Sequence, residues 1–251
     1  MPVTIVVAGK GGTGKTTIST LLIQLLRDRG VVLAVDADPA TNLNQSLGVD
    51  LEATVGGIRE DMTEAIMAGS LSPTLAKQEY LDGRIMAAVV ESKGFDLVAI
   101  GRPEGPGCYC AANNMLRLSM DRLGKNYDYI VIDSEAGMEH ISRQTTRDVD
   151  ILLIISDLTQ RGIKTAGEIK KLVKEMRTGV GRMCLVVNRS PDQLPPEIQA
   201  TIDALGFELV ATIPPDPALS DLEVKGSPVT ELPSDSPLRR GVRELADKLG
   251  L

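Results

Sequence analysis

The chain has 251 residues, a length within the range of one α/β domain, so we expect residues 1–251 to form a single domain. A net charge of −7 and an aromatic content of only 2%, with no Trp, argue against a protein dedicated to binding nucleic acid. We expect neither a signal peptide nor a membrane span, because Met1 leads directly into the first predicted strand and no apolar run approaches roughly 18 residues.

A glycine-rich loop between a predicted strand and a predicted helix dominates residues 3–26. It begins at Gly9, reads GKGGTGKT and matches G-x-x-x-x-G-K-[ST], the phosphate-binding loop. Glycines let backbone N–H groups wrap a phosphate, while Lys15 would reach the β- and γ-phosphates and Thr16 would bind Mg²⁺. We therefore predict binding of ATP or ADP with Mg²⁺. The predicted nucleotide-binding residues of this segment are Gly9, Lys10, Gly11, Gly12, Thr13, Gly14, Lys15, Thr16 and Thr17.

The position of Lys10, directly after the first glycine, distinguishes this loop from most phosphate-binding loops. The resulting KGGTGKT resembles the deviant loop of the MinD, ParA and nitrogenase iron protein superfamily. In that superfamily the early lysine reaches the phosphates of the partner subunit when two ATP-bound subunits close face to face. The resemblance implies a homodimer formed with ATP and a catalytic role for Lys10 beside Lys15. A solvated loop lysine is the alternative interpretation.

A second buried strand is predicted over residues 31–35, and it runs into the acidic sequence DADP. Carboxylates at the C-terminal end of a parallel strand lie on the ligand side of an open α/β sheet. VDADP resembles the first switch of the superfamily, which implies that Asp38 positions the attacking water and that Asp36 supports the Mg²⁺ shell. A helix-capping Asp before proline is the alternative. Residues 48–93 suggest helices over 55–67 and 75–90 and carry no assigned chemistry.

Two cysteines, Cys108 and Cys110, lie between a loop and a helix predicted over residues 111–123. A helix N-terminus favours thiolates, but two thiolates supply only half of a tetrahedral site. A two-fold dimer would supply the other half, so one Ni²⁺ or Zn²⁺ shared across the dimer is predicted. A pair of free or redox-active cysteines is the alternative, and a [4Fe–4S] cluster would use the same four thiolates. Three cysteines in this pattern fit a reducing compartment, which predicts a cytoplasmic protein.

Another strand, predicted over residues 127–133, ends in a Walker-B-type aspartate, Asp133, which would hold Mg²⁺ through water. In the second switch that follows, the amide of Gly137 would sense the γ-phosphate, as the resemblance implies. His140 is the only histidine of the chain. Local hydrogen bonding is its favoured interpretation, and a link from the switch to the metal is the alternative.

Later strands are predicted over residues 151–155 and 183–187, with Cys184 inside the second as a small core residue. Asn188 resembles the adenine-reading asparagine of the superfamily, and the turn containing Pro214 and Asp216 resembles its second base-contacting loop. A turn-capping Asn and an ordinary proline-rich turn are the alternatives. The terminal segment, residues 237–251, has one apolar helical face, which we expect to pack on the domain rather than on a membrane.

The glycine-rich loop, the CYC pair and the AGMEH sequence after Asp133 together resemble the CooC-type ATPases. These are nickel-insertion accessory proteins of carbon monoxide dehydrogenase, with relatives that serve acetyl-CoA synthase. The resemblance implies an ATP-hydrolysing metallochaperone that dimerises with nucleotide and metal and assists nickel insertion into a client Ni-Fe-S enzyme. A MinD- or ParA-like positioning ATPase and an iron–sulfur ATPase resembling nitrogenase iron protein are the alternatives.

Alternating strand and helix patterns, with the phosphate loop after the first strand, predict a doubly wound α/β fold. The sheet should be mostly parallel and of the MinD-like P-loop NTPase type. Neither a nucleic acid nor a membrane is expected as a partner.

Overall fold

Eight strands form one sheet in the computed structural model, which describes residues 1–69, 77–101, 121–134, 148–175 and 179–251. The sheet has the order β3-β4-β2-β5-β1-β6-β7-β8, in which β3 pairs antiparallel with β4 and all other pairs are parallel. The doubly wound, mostly parallel fold predicted from the sequence is therefore confirmed. The strands are β1 Val3–Gly9, β2 Val32–Ala37, β3 Val90–Ser92, β4 Phe95–Ala99, β5 Tyr129–Ser134, β6 Asp148–Ser156, β7 Gly179–Asn188 and β8 Glu208–Ile213.

Helices cover both faces of this sheet. Within the described residues no helix is long and apolar enough to cross a bilayer. A short 3₁₀ turn at Val229–Glu231 leads into the last helix. The α-helices are α1 Lys15–Leu26, α2 Leu43–Leu47, α3 Val55–Met67, α4 Lys77–Ala87, α5 Gln160–Glu175, α6 Pro196–Ala204, α7 Pro217–Lys225 and α8 Pro237–Leu249.

The alternation of side chains along each strand builds two cores, one on either face of the sheet. In β1, Val6 and Ala8 belong to the core that α3, α4, α5 and α6 cover. Ile5 and Val7 belong to the other core, which α1, α2, α7 and α8 cover. Because both faces are covered, the strands are apolar throughout rather than alternating with polar residues. Cys184 is fully buried in the second core, as the sequence predicts.

Two strands escape prediction from the sequence. The helix predicted over 75–90 ends at Ala87, because the chain turns back at Gly94, with φ +84°, and pairs β3 with β4 as a hairpin. A left-handed conformation of this kind favours glycine. β8 also carries no strong signal, because ELVATI mixes exposed and buried positions at the edge of the sheet. The missed elements therefore lie at the two edges.

The last helix, α8, packs its apolar face on the domain, as expected. Leu238, Val242, Leu245 and Leu249 are buried in the core beside β8. Its start is fixed by Asp216, the N-cap of α7, whose carboxylate accepts hydrogen bonds from Ala218 N at 3.0 Å, Ser236 Oγ at 2.5 Å and Leu238 N at 3.3 Å. One buried carboxylate thus ties the beginnings of two helices together.

We predict that Asp216→Ala lowers the free energy of unfolding by about 2–4 kcal/mol, because a helix cap and two further charge-assisted hydrogen bonds are lost. Urea unfolding followed by circular dichroism measures the change. Asp221→Ala, an exposed carboxylate on the same helix, is the matched control and should change stability by no more than about 0.5 kcal/mol. An equal loss in both variants would contradict the assigned role of Asp216.

Candidate functional site

The candidate site lies where β1, β2 and β5 end, at the carboxyl edge of the sheet. In the sheet register Val7 lies opposite Asp133, and Asp133 lies opposite Asp36 on its other side. The glycine-rich loop begins at Gly9 directly after β1. Parallel strand order therefore gathers the predicted phosphate loop and two predicted aspartates at one edge, which is where α/β sheets bind ligands.

Two glycines of the loop are required by close contacts. A Cβ on Gly9, at φ +151°, would lie 2.2 Å from the carbonyl oxygen of Ile155 in β6. A Cβ on Gly14, at φ +91°, would lie 2.4 Å from Nδ2 of Asn188. Gly11 and Gly12 instead face open space, since a Cβ at either position would meet no atom within 4 Å. The loop is therefore packed at both ends and open in the middle, a shape suited to a phosphate group.

The ammonium of Lys15 lies inside this loop and is only 9% exposed as a residue. Its closest polar contact is the carbonyl oxygen of Lys10 at 3.5 Å, which also accepts from Thr13 Oγ1 at 2.8 Å. No ion pair to Lys15 occurs within the described ranges. A buried cation whose closest polar contact is one distant neutral oxygen suits an anionic ligand, so the loop fits a nucleotide phosphate.

Asp133 is the centre of the acidic part of the site. Its carboxylate accepts from Thr16 Oγ1 at 2.6 Å and from Ser19 Oγ at 3.0 Å. Burial raises the pKa of Asp133 to about 6, the two hydroxyls and Lys15 act against this, and Asp38 adds to it. A hydroxyl and a carboxylate suit Mg²⁺, which prefers oxygen ligands, so Thr16 and Asp133 would hold the ion and it would neutralise phosphate charge. Sequence reasoning missed Ser19, although it lies one helical turn after Thr16.

Asp36 is bound by backbone amides of the loop that follows β2. It is fully buried, and its two carboxylate oxygens accept backbone hydrogen bonds from Asp38 N at 3.1 Å and Leu43 N at 2.9 Å. Burial is the main cause that raises the pKa of Asp36 to about 7, and the charge of Asp133 adds to it. Asp36 therefore fixes the backbone between β2 and α2, a role that the sequence did not reveal. Its predicted place in the Mg²⁺ shell stays a prediction.

Asp38 lies in the loop that Asp36 holds. Its side chain is partly exposed and accepts from Ala40 N at 2.9 Å, which forms a tight turn. The next turn residue, Thr41, has φ +48°, a conformation that non-glycine residues rarely adopt. Strain of this kind is often concentrated in switch loops. The charge of Asp38 acts on Asp133, so its carboxylate lies near the acidic part of the site.

The three predicted base-contacting residues come together in one pocket. Asn188, Pro214 and Asp216 line a cavity of about 320 Å³ beside the glycine-rich loop. Asn188 donates to Thr13 O at 2.8 Å and accepts from Arg189 N at 3.0 Å, so it braces the loop. The carboxylate of Asp216 is already bound to α7 and α8. A base would therefore meet the backbone of this turn rather than a free carboxylate.

Arg189 is a further residue of this pocket that sequence reasoning missed. It has φ +55° and its guanidinium donates to Gly12 O at 3.3 Å. The predicted Cys108, Cys110, Gly137 and His140 lie outside the described residues. Among those described, no group of three or more His, Cys, Asp or Glu side chains is arranged to hold a metal ion.

Comparison with known proteins agrees with this geometry. Residues 1–183 match the AAA domain family. An uncharacterized ATP-binding protein of Methanocaldococcus jannaschii is 41% identical over 250 residues, which cover 98% of this chain and 97% of that protein. The carbon monoxide dehydrogenase accessory protein CooC of Rhodospirillum rubrum is 31% identical over 239 residues, which cover 88% of this chain and 87% of that protein.

Solved structures share the fold at lower identity. The cell division ATPase MinD of Pyrococcus furiosus has a TM-score of 0.71 and 22% identity, covering 100% of this chain and 99% of that one. The septum site-determining protein MinD of Pyrococcus horikoshii, complexed with Mg-ADP, has a TM-score of 0.69 and 22% identity, covering 99% and 95%. By sequence and by fold, the chain belongs to the AAA domain family and is a P-loop ATPase with the MinD/ParA-type fold.

Proposed function

We propose that residues 1–251 act as one domain, and that two such chains close face to face on ATP. The use of ATP in this proposal is supported by the Thr16–Asp133 hydrogen bond of 2.6 Å beside the buried Lys15, and the face-to-face closure by the resemblance of Lys10 to the early lysine of the deviant loop. ATP is the substrate. Lys15, and Lys10 from the facing subunit, neutralise charge on the transferred phosphoryl group, while Asp38 orients the attacking water.

The loop geometry supports a switch between two nucleotide states. Asp36 holds the amides of Asp38 and Leu43, so a change at the γ-phosphate that moves Asp38 also moves the start of α2. The hydroxyls of Thr20 in α1 and Ser46 in α2 lie 2.7 Å apart, which couples the same helix to the phosphate loop. A movement of the Asp38 loop would therefore also move α2.

We further propose that the ATPase cycle loads or releases nickel for a client Ni-Fe-S enzyme, with nickel as the cargo. Support comes from the 31% identity to CooC, a carbon monoxide dehydrogenase accessory protein, over most of both chains. Cys108 and Cys110 would supply two thiolates per subunit and four per dimer, the number that a closed tetrahedral site needs. Zn²⁺ or a [4Fe–4S] cluster would accept the same ligands, so metal identity has to be measured.

A positioning ATPase is the second candidate, because MinD of Thermotoga maritima is 24% identical over 256 residues, covering 98% of this chain and 87% of that protein. The apolar face of α8 is buried against the sheet, however, and is occupied by the chain's own core. The CYC pair would also have no role in that function. We therefore favour nickel delivery.

The first prediction of this proposal concerns hydrolysis. Lys15→Ala should lower turnover by about 10³-fold or more, because the γ-phosphoryl charge loses its main fixed counter-charge. Asp38→Ala should keep ATP binding and slow turnover by about 10²–10⁴-fold, because the water is no longer oriented. Phosphate release and nucleotide titration measure the two effects. Asp50→Ala, an exposed carboxylate, is the control, and near-normal turnover in Asp38→Ala would contradict the assigned role.

The second prediction concerns the dimer. Lys10→Ala should bind ATP yet remain monomeric, because the charge that crosses the interface is missing. Multi-angle light scattering with Mg²⁺ and a non-hydrolysable ATP analogue gives the mass of each species. Lys93→Ala, an exposed lysine remote in sequence from the loop, should dimerise as the wild type does. Dimers of Lys10→Ala would identify Lys10 as a solvated loop residue.

The third prediction concerns metal. Wild type should bind one Ni²⁺ or Zn²⁺ per two chains and dimerise more tightly with it, since the ion holds both subunits. Cys108→Ser should remove two of four thiolates at once and abolish tight binding, whereas Cys184→Ala should keep it because Cys184 is a core residue. Affinity should weaken at low pH, because thiols must lose protons to bind.

Equilibrium dialysis beside sedimentation of the same sample tests this stoichiometry. One ion per single chain, or unchanged binding in Cys108→Ser, would show that the site is not shared. Brown protein with inorganic sulfide after anaerobic purification would identify an iron–sulfur cluster instead of nickel cargo.

A further inference from the structure

A cluster of arginines lies at the end of α1 that is distant from the glycine-rich loop. Arg27 follows the last residue of α1, and Arg239 and Arg243 lie one turn apart on the neighbouring α8. A helix of 12 residues at a rise of 1.5 Å per residue is about 18 Å long, so this cluster is far from the glycine-rich loop, and none of its arginines lines the pocket of Asn188. The hydrolysis chemistry proposed above gives these side chains no role.

Arg239 is the most enclosed arginine of the cluster. Its Nε donates to Leu232 O, one terminal nitrogen donates to Gln24 Oε1 and the other donates to Thr230 O, each at 2.9 Å. All three acceptors are neutral. A guanidinium carries five N–H donors, so two remain for a further partner. Arg239 is therefore fixed in position while its positive charge has no acid bound to it.

Positive charge is crowded at this point. Burial first, and then the charges of Arg27 and Arg243, lower the pKa of Arg239. Within the ranges that the structure describes, none of these three arginines forms an ion pair. Asp28 is the single acid among the described residues that line the adjacent cleft. Two arginines and one acid line the cleft, and the charge of Arg27 acts on Arg239 as well, so in a chain of net charge −7 this is a local excess of positive charge that an anion would relieve.

The cleft between α1 and α8 limits what this anion can be. It has a volume of about 100 Å³ and is lined by Gln24, Arg239 and Arg243, among others. Water takes about 30 Å³ in the liquid, so the cleft has room for roughly three waters or one tetrahedral oxyanion. We propose that this cleft binds a phosphate-type oxyanion through the guanidinium groups of Arg239 and Arg243.

Arg239 links this cleft to the rest of the molecule. The carbonyl oxygens of Thr230 and Leu232 that it binds belong to the 3₁₀ turn and its C-cap, and this turn packs against α2. An oxyanion that holds Arg239 would therefore also hold the turn beneath α2. Binding should be detectable as increased stability of the whole chain, because α8 and α1 are both core helices.

Isothermal titration of the full chain with inorganic phosphate tests the proposal. The glycine-rich loop is first filled with Mg²⁺ and a non-hydrolysable ATP analogue, so that phosphate cannot bind there. Arg243→Gln should weaken phosphate binding about tenfold, which corresponds to one charge-assisted contact. Arg240→Gln removes the same charge from an exposed position of α8 outside the cleft and should bind as the wild type does.

Thermal unfolding at low salt supplies a second measurement, in which Arg243→Gln should stabilise the protein although it weakens phosphate binding. Without phosphate, Arg243→Gln should melt about 1–3 °C above the wild type, because like-charge repulsion is relieved. Phosphate should raise the melting temperature of the wild type and of Arg240→Gln but not that of Arg243→Gln. A variant that is merely misfolded would melt lower, so the two effects are separable.

Methyl phosphate distinguishes the source of the ligand. Equal affinity for methyl phosphate and inorganic phosphate would assign the cleft to phosphate groups carried on a larger molecule, whereas preference for inorganic phosphate would assign it to the free ion. The proposal is overturned if the wild type binds neither compound, if Arg243→Gln binds as tightly as the wild type, or if Arg240→Gln loses as much affinity as Arg243→Gln.

Discussion

The buried carboxylate of Asp133 is the interaction on which the rest of the site depends. It lies at the end of a central strand, it binds two hydroxyls of α1, and it fixes the first turns of that helix against the sheet. The position of α1 in turn sets the glycine-rich loop that precedes it. Burial of the carboxylate carries a desolvation cost, which the two hydroxyl donors and the charge of Lys15 reduce. The site is thus held together by groups that would also bind a nucleotide and Mg²⁺.

Backbone amides, rather than side chains alone, organise the acidic loop beside it. Asp36 binds the amides at both ends of the six-residue segment from Asp38 to Leu43, so the loop cannot move one end without disturbing the other. Asn188 holds the phosphate loop at one point, by donating a hydrogen bond to the carbonyl oxygen of Thr13. Both residues are buried polar groups with satisfied hydrogen bonds, which rigidify a site more than exposed contacts do.

The features that could be predicted from the sequence are those determined by residues close together in the chain. The phosphate loop, the aspartates after β2 and β5 and the buried parallel strands are of this kind, because local spacing and sheet topology determine them. The second roles of Asp36 and Asp216 could not be predicted, since they depend on amides that only the folded chain brings within reach. Arg189 and Ser19 were missed for the same reason. The edge strands β3 and β8 carry too little apolar pattern to be recognised.

The alkylation rate of Cys184 reports how often the core of the protein opens. The thiol is fully buried in β7, and burial together with the charge of Glu208 raises its pKa to about 11, so it is shielded from alkylating reagents in the native state. Because β7 is the second strand from the β8 edge, alkylation requires this end of the sheet to open. In a chain without Trp, the labelling rate of this thiol supplies the readout of core opening that fluorescence would otherwise give. A ligand that stabilises the sheet would lower the alkylation rate of Cys184 in proportion to the opening that it suppresses.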